Sequence, residues 1–199
     1  MTPPNRLARQ IQFIVEIDKL KQIVRQSYLT DASRLENSVE HSWHLAMMAM
    51  VLAEYANEPD IDAGRVVKMV LIHDLVEIDA GDTFLYDAEH AESKREREIA
   101  AADRIFSLLP TDQEAGFRAL WEEFEARETP AAKFAYALDR LQPMLHNVIT
   151  RGKSWQRHGI TLSQVMAKNS PMKEGSESLW EYISGLLDAA AEEGVIADG

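Results

Sequence analysis

The 199-residue sequence predicts a single all-α domain, residues 1–199, folded as a bundle of about seven or eight helices. Apolar residues recur three or four positions apart along most of the chain, which is the period of one helix face. No segment alternates between apolar and polar residues in the way a half-buried strand does. Helix-start signals also divide the apolar runs, as at Thr129-Pro130, where an N-cap residue precedes a proline in the first helical position.

The N-terminal half of the chain should contain four helices. Their predicted bounds are about 5–25, 39–56, 63–77 and 89–109. Ser38 is the candidate N-cap of the second helix, Gly81 ends the third, and Pro110 stops the fourth. The polar stretch 30–37 is expected to form a loop between the first two helices.

The C-terminal half should contain the remaining helices. Their predicted bounds are about 111–127 and 130–148, followed by a short helix after Thr161 and a last one over about 176–193. The spacing of a capping box occurs twice, from Thr111 to Glu114 and from Thr161 to Gln164. Residues 152–159 are bounded by glycines and are expected to form a loop.

Composition limits the classes of function. The formal net charge of -12 argues against binding to nucleic acid or to an anionic membrane, since both require basic patches. The chain has no cysteine, which removes disulfides, thiolate metal ligands and cysteine nucleophiles. The lack of cysteine, of an apolar signal segment and of a run long enough to span a membrane leads us to expect a cytoplasmic protein.

The central feature is the segment 70–77, Val-Leu-Ile-His-Asp-Leu-Val-Glu, which is apolar on almost every side of a helix. It should be deeply buried, yet it carries His73, Asp74 and Glu77. On a helix, Glu77 lies one turn from both other residues, so the three side chains can converge. Buried charges need a partner or a metal. From these residues alone, a His73–Asp74 pair within the core and a metal site are equally open.

Further candidate ligands lie on neighbouring helices. His41 begins the second helix, and Asp139 interrupts an apolar face where it either pairs with a base such as Arg140 or binds a metal. The order His, then His-Asp, then a distant Asp resembles the HD-domain superfamily of metal-dependent phosphohydrolases, in particular its small 5'-nucleotidases that act on deoxyribonucleoside monophosphates. The matching segments are Leu20 to Arg25, Ser38 to Ser42, His73 to Glu77, and Ala80-Gly81-Asp82.

The resemblance implies a set of roles. The metal ligands would be His41, His73, Asp74 and Asp139, holding one divalent ion. A sulfur-free nitrogen and oxygen set suits manganese, cobalt, iron, magnesium or zinc and does not select one. The resemblance further assigns Glu77 to orient or deprotonate the attacking water. Asp82 would protonate the leaving 5'-oxygen or hold the site together, and Arg25 would bind the phosphate.

The expected substrate is a nucleoside 5'-monophosphate, because Arg25 and one metal provide for a single phosphate. In that family an aromatic residue closely follows the arginine and helps to exclude a 2'-hydroxyl. Here the aromatic residue is Tyr28, the third residue after Arg25, and it would have to crowd C2' of the sugar to take that role. The resemblance also implies a homodimer.

Two alternative functions remain: an HD phosphohydrolase for triphosphorylated, cyclic or bis-phosphorylated nucleotides, and a non-catalytic metal-binding or nucleotide-binding module. His44 is expected to support or pack against the site, and His146 either lines the pocket or is satisfied within the core.

Overall fold

A computed structural model describes residues 5–86 and 88–198, with the backbone alone described for residues 88–92. The α-helices are α1 Arg6–Ile17, α2 Ser38–Leu52, α3 Ala63–Ile72, α4 Glu77–Ala80, α5 Ala88–Phe106, α6 Thr111–Ala126, α7 Pro130–Ile149, α8 Lys153–His158, α9 Leu162–Asn169 and α10 Glu177–Glu192. Short 3-10 segments cover Asp18–Gln22, Ala53–Tyr55, His73–Val76 and Ser170–Glu174. The predicted all-α class is confirmed. Among the helices of the described ranges, none is long and apolar enough to cross a membrane.

A two-stranded antiparallel hairpin departs from the predicted helices. The first predicted helix ends at Ile17, and after a 3-10 turn the chain forms β1 Val24–Tyr28, which pairs with β2 Leu35–Asn37. The expectation of no strand was therefore wrong, and the loop predicted over 30–37 covers only residues 30–34. The pattern was hidden because the buried position of β1 is the polar Ser27, while the apolar Val24 is 52% exposed. Polar side chains point inward here because this strand borders a polar cavity.

Asn37, and not Ser38, caps helix α2. The Asn37 side chain accepts hydrogen bonds from the backbone N–H groups of Val39 and Glu40, and the Glu40 carboxylate accepts one from the Asn37 N–H. This capping box satisfies the first orphan donors of the helix. Ser38 is consequently free of the capping role and its hydroxyl points into the interior, where it reaches Glu77.

The third predicted helix changes its winding within residues 70–77, called the acidic segment below. The α-helix ends at Ile72, His73–Val76 form a tighter 3-10 turn, and α4 is one further turn ended by Gly81 at a φ of 76°. A 3-10 turn in the middle of a helix often marks a functional position, because it re-aims side chains relative to α-helical spacing. The simple helical spacing predicted for His73, Asp74 and Glu77 is therefore corrected.

Capping predictions in the C-terminal half had mixed outcomes. Thr129 caps α7 with Pro130 in its first turn, and Thr161 and Gln164 form the predicted capping box of α9. The box predicted at Thr111 is wrong, because Pro110 occupies the N-cap position and supplies no side-chain hydrogen bond. The loop predicted over 152–159 instead contains α8.

Two clusters of buried apolar side chains meet at the acidic segment. One cluster joins α2, α3, α7 and α10 and includes Met69 and Val70. The other joins α1, α5 and α6 and includes Leu75 and Val76. The segment passes from one cluster to the other, so His73 and Asp74 are fixed by packing on both sides.

Candidate metal centre and active site

Three buried side chains from separate elements converge on one point. His41 of α2, His73 of the 3-10 turn and Asp139 of α7 offer ligand atoms that all lie within 4.8 Å of one another. The Asp139 Oδ1 is 2.9 Å from the Nε2 of His41 and 3.7 Å from the Nε2 of His73. Each of these residues is at most 5% exposed. Their spacing suits a single bound cation.

Asp74 lies beside these three side chains. Its Oδ1 is 2.9 Å from the Nε2 of His73, and its Oδ2 is 4.0 Å from the Nε2 of His41. The same Oδ2 accepts a hydrogen bond of 3.0 Å from the Nη1 of Arg25. Asp74 therefore contributes a second carboxylate to the cluster while it also pairs with a guanidinium.

The hydrogen bonds of His41 direct its Nε2 lone pair toward Asp139. The Nδ1 of His41 is 3.1 Å from the Oε1 of Gln142, whose own Nε2 donates to Glu36 over 2.9 Å. Because the donation to a carboxylate fixes the amide orientation, Oε1 can only accept, and Nδ1 must carry the proton. The unprotonated Nε2 of His41 then faces a carboxylate oxygen, which only a cation or a proton between them can stabilise.

His73 shows the same arrangement. Its Nδ1 is 2.8 Å from the backbone oxygen of Val70, which can only accept, so the proton is on Nδ1. Its Nε2 is buried and makes no hydrogen bond with any described residue, although carboxylates of Asp74 and Asp139 are close by. A pair of imidazoles that bond outward through Nδ1 and present Nε2 to carboxylates has the donor set of a divalent metal site.

The pKa values of the two imidazoles shift in opposite directions. Burial lowers the pKa of His41 to about 4, helped by the charge of Arg25, so this imidazole is neutral at pH 7 and able to bind a metal. Burial also lowers the pKa of His73, but the charges of Asp74 and Asp139 outweigh it and raise the value to about 10. The carboxylates thus strongly favour a cation beside the Nε2 of His73.

Glu77 and Asp82 are further acids in the same enclosure. The Oε2 of Glu77 accepts a hydrogen bond of 2.7 Å from the Ser38 hydroxyl. Burial and then the charge of Asp74 raise the pKa of Glu77 well above its usual range. Burial also raises the pKa of Asp82, against the opposing effect of Arg25. Both carboxyl groups therefore keep a proton to higher pH than an ordinary carboxyl group does.

Arg25 projects from β1 into a group of four carboxylates. Its Nη1 is 3.0 Å from Asp74, 3.7 Å from Asp82 and 3.9 Å from Glu77, and its Nε is 3.8 Å from Glu36. These carboxylates raise its pKa even though burial acts to lower it. The predicted phosphate-binding arginine thus lies among the reactive carboxylates.

Sequence reasoning missed Glu36 and Gln142, which support the centre from behind. Glu36 is 1% exposed, and burial raises its pKa to about 7, with Arg25 and Gln142 opposing the shift. The only available signal was the capping segment that places Glu36 just before Asn37. His146 lies on this network, with its Nε2 3.2 Å from the Nε2 of Gln142, and His44 packs against His146 at 5.5 Å between ring centroids.

A cavity of about 350 Å³ is lined by most of the groups described above, though not by His41. The lining includes Arg25, His73, Asp74, Glu77, Asp82 and Asp139. Other parts of its wall are aromatic, with Phe84 packed 5.2 Å from Tyr86 and 4.6 Å from His158 between ring centroids. The β1 residues in the lining are Arg25, Gln26 and Ser27. Tyr28 lies outside this lining, and its ring is covered by the Lys153 ammonium at 4.2 Å. The expected contact of Tyr28 with the sugar stays a prediction, and the cavity lining does not support it.

Comparison with known proteins adds independent information. The profile of the HD domain family matches residues 17–180. The human 5'-deoxynucleotidase HDDC2 is 32% identical over 136 residues, which cover 68% of this chain and 65% of the human protein, just under two thirds of its length. The 5'-deoxynucleotidase VV1113 of Vibrio vulnificus is 30% identical over 117 residues, covering 55% of this chain and 60% of that protein.

Solved structures extend the similarity to the whole chain. A predicted metal-dependent phosphohydrolase from Magnetospirillum magnetotacticum MS-1 is 54% identical, with a TM-score of 0.93, and the match covers 99% of this chain and 98% of that one. The PH0347 protein of Pyrococcus horikoshii OT3 shares 20% identity and a TM-score of 0.62 over 92% of this chain and 98% of its own. The second likeness concerns the fold alone.

Proposed function

This chain belongs to the HD domain family, and we propose that it is a metal-dependent 5'-nucleotidase that converts nucleoside 5'-monophosphates to nucleoside and phosphate. The observation that carries the proposal is the pair of buried Nε2 atoms, on His41 and His73, directed at carboxylates in the wall of a cavity. The aromatic lining of the same cavity suits a nucleobase, and the curated relatives described above are 5'-deoxynucleotidases. We therefore expect deoxyribonucleotides to be at least as good substrates as ribonucleotides.

The proposed metal ligands are His41, His73, Asp74 and Asp139. Two imidazoles and two carboxylates leave open positions on a six-coordinate ion and do not select among manganese, cobalt, iron, magnesium and zinc. When bound, a divalent ion supplies Lewis acidity toward a phosphoryl oxygen and lowers the pKa of water. The donor set fits such an ion because each imidazole already bonds outward through its Nδ1.

The remaining acids and Arg25 have complementary proposed roles. Glu77 orients the attacking water and accepts its proton, which its raised pKa favours. The Ser38 hydroxyl holds one oxygen of Glu77, which leaves the other for the water. Asp82, whose pKa is also raised, donates a proton to the leaving 5'-oxygen. Arg25 offers two parallel N–H donors to the phosphate.

The cavity dimensions support a single small nucleotide. About 350 Å³ lies at the low end of the range for small-molecule pockets, roughly 300–1,000 Å³. Because Gln26 and Ser27 line the cavity, these residues, and not Tyr28, are proposed to contact the sugar. We therefore expect Gln26 and Ser27, and not Tyr28, to disfavour a 2'-hydroxyl on the sugar.

More cations line the cavity than the single arginine expected from sequence. They include Lys94, Arg127, Arg140 and Lys168. This observation favours the alternative of a substrate with a second phosphate. Glu98 and Glu125 also line the cavity, however, and Glu98 lies 3.4 Å from the Lys94 ammonium. The local charge is thus largely balanced, and a monophosphate stays the preferred substrate.

The proposed assembly is a homodimer formed through helix α2. Four apolar side chains on this helix are at least 41% exposed, namely Trp43, Met47, Met50 and Val51. Their spacing of three to four residues forms one stripe, referred to below as the α2 stripe. A contiguous exposed apolar surface of this kind is typical of an association surface, and a two-fold axis would pack the stripe against its copy.

A phosphate-release screen tests the proposal. Purified protein loaded separately with each of the five metals is offered deoxyribonucleoside and ribonucleoside monophosphates, triphosphates, cyclic nucleotides and bis-phosphorylated nucleotides. We expect release from monophosphates, and none from the matched His73→Ala variant. Release from another class alone would identify a different HD phosphohydrolase. Absence of release with every metal, in protein that still binds metal, would identify a non-catalytic module.

A further inference from the structure

We propose that Arg140 is a second phosphate-binding residue, which holds the oxygens of the transferred phosphoryl group from the side of α7. The inference rests on the proposed function, since it concerns the same cavity and the same phosphate. Arg25 approaches this cavity from β1, whereas Arg140 approaches it from the helix that carries Asp139. Two arginines from different elements would then hold the phosphate between them.

Arg140 lies one carboxylate away from the candidate metal centre. Its Nη2 donates a 2.8 Å hydrogen bond to the Oδ2 of Asp139. The other oxygen of that carboxylate, Oδ1, faces the Nε2 atoms of His41 and His73. A phosphate oxygen near the imidazoles is therefore within reach of a guanidinium that contacts the same Asp139.

The guanidinium of Arg140 has donors to spare. Its hydrogen bond to Asp139 is the single one it makes with the described residues, although the group carries five N–H donors. Its Nε is buried without a partner among those residues. The Tyr136 ring lies 5.0 Å from its central carbon and covers one face, which leaves the edge as the side available for an anion. Unfilled donors on a cavity wall call for a ligand with several acceptor oxygens.

Arg25 provides an informative contrast. Four carboxylates lie within 4.0 Å of its guanidinium nitrogens, those of Asp74, Asp82, Glu36 and Glu77. Among the described residues, Arg140 has one such carboxylate, that of Asp139. An approaching phosphate meets more negative charge beside Arg25 than beside Arg140. Both guanidinium groups line the same cavity, and an anion between them would relieve their mutual repulsion.

A competing explanation is that Arg140 only orients Asp139 as a metal ligand. The two roles differ in what they affect. A phosphate-binding role acts on the affinity for phosphate at full metal occupancy, whereas an orienting role acts on the affinity for metal. The test therefore measures metal content, the inhibition constant of inorganic phosphate, and KM and kcat for a deoxyribonucleoside monophosphate in the same preparations.

The variants are Arg140→Gln and Arg140→Lys, with Arg118→Gln as the matched control. Arg118 has a similar exposure, 25% against 21% for Arg140, and it also pairs with carboxylates and stacks on an aromatic ring, that of Trp121. It does not line the cavity. We expect Arg140→Gln to weaken inhibition by phosphate about 10- to 100-fold and to lower kcat/KM comparably, with metal content unchanged. Arg140→Lys should recover part of the loss, and Arg118→Gln should behave as wild type.

Two results would overturn the inference. One is an Arg140→Gln variant whose phosphate inhibition and kcat/KM match those of wild type. The other is a variant that loses metal and regains both constants when excess metal is added. If wild type cleaves no monophosphate, the proposed function has failed, and calorimetric titration of inorganic phosphate into manganese-loaded protein still decides the role of Arg140. Equal phosphate affinity in wild type and Arg140→Gln would then reject it.

Discussion

The Nδ1 of His41 lies 3.1 Å from the Oε1 of Gln142, and both side chains are fully buried. Gln142 cannot rotate its amide without losing its hydrogen bond to Glu36. The pair therefore fixes the tautomer of His41 and keeps its Nε2 available to a metal. Neither residue could be connected to the other from sequence, because they are 101 positions apart and only the packing of α2 against α7 brings them together.

Replacing Gln142 by leucine should lower metal affinity. The change keeps the volume but leaves the His41 Nδ1–H and the Glu36 carboxylate without their partner. Loss of such a supporting hydrogen bond typically weakens metal binding by about 10- to 100-fold. Competition with a chelator measures the affinity. Gln113→Leu, at a glutamine that bonds to Gln10 and is absent from the cavity lining, is the control. Equal affinities in the two variants would show that Gln142 does not support the site.

Removal of the proposed ligands should empty the site. Elemental analysis of purified wild type should find about one divalent ion per chain, the number that one four-ligand site holds. His73→Ala removes an Nε2 donor and Asp139→Ala removes the carboxylate shared by both imidazoles, so both variants should lose most of the metal. Full occupancy in both would exclude this metal site.

The variant Glu77→Gln distinguishes a proton-accepting role of Glu77 from a structural role. Glutamine keeps the size of the side chain, and its amide oxygen can still accept the Ser38 hydrogen bond, but it cannot take a proton from water. Metal content should be preserved while turnover falls by roughly two to four orders of magnitude. Turnover within a few-fold of wild type, measured at saturating substrate, would restrict Glu77 to a structural role.

The elements predicted well from sequence are those whose signals are local. The Thr129-Pro130 start of α7 and the Thr161–Gln164 capping box follow from residues within one turn of each other, and both were confirmed. The predicted relationship to HD-domain phosphohydrolases was also confirmed, because it rests on an ordered set of motifs. The convergence of His41, His73 and Asp139 agrees with the predicted ligand set in geometry, while their binding of metal stays a prediction.

The features that sequence did not predict depend on tertiary contacts. Strand β1 lacked an apolar alternation because its inward side chains, Arg25 and Ser27, border the cavity and not the core. The 3-10 turn at His73 arises where the chain passes between two packed clusters. Tyr28 was assigned by analogy of position along the chain, but the pairing of β1 with β2 places it outside the cavity lining.

His146 should make the protein less stable in acid. Burial, and then the charge of His44, lowers the pKa of His146 from its ordinary value of 6.5 to about 4. Between these values the unfolded chain binds the proton and the folded chain does not, so stability is lost as the pH falls from about 6.5 to about 4. His146→Gln keeps an acceptor for Gln142 but does not titrate, and its stability should fall less over this interval.

Urea unfolding of wild type and His146→Gln measures this loss of stability. The measurements run between pH 4.5 and 7.5, about the window set by these pKa values. A chelator in both samples removes the separate pH dependence of metal binding. Glu36 contributes with the opposite sign, because its pKa is raised to about 7. Its Oε2 lies 3.9 Å from the Nδ1 of His146, so the same comparison is repeated in a Glu36→Gln background to isolate His146. Parallel curves would show that His146 titrates in the folded protein as it does in the unfolded chain.

A charge on the α2 stripe should dissociate the proposed homodimer. Met50 is 65% exposed on this stripe, so Met50→Glu costs no core packing but places a carboxylate in the proposed apolar interface. Tyr182→Glu is the matched control, since Tyr182 is 62% exposed on α10, away from the stripe. Light scattering after size-exclusion chromatography should find a dimer for wild type and Tyr182→Glu and a monomer for Met50→Glu. A wild-type monomer at high concentration would reject the dimer, and a Met50→Glu dimer would move the interface to another surface.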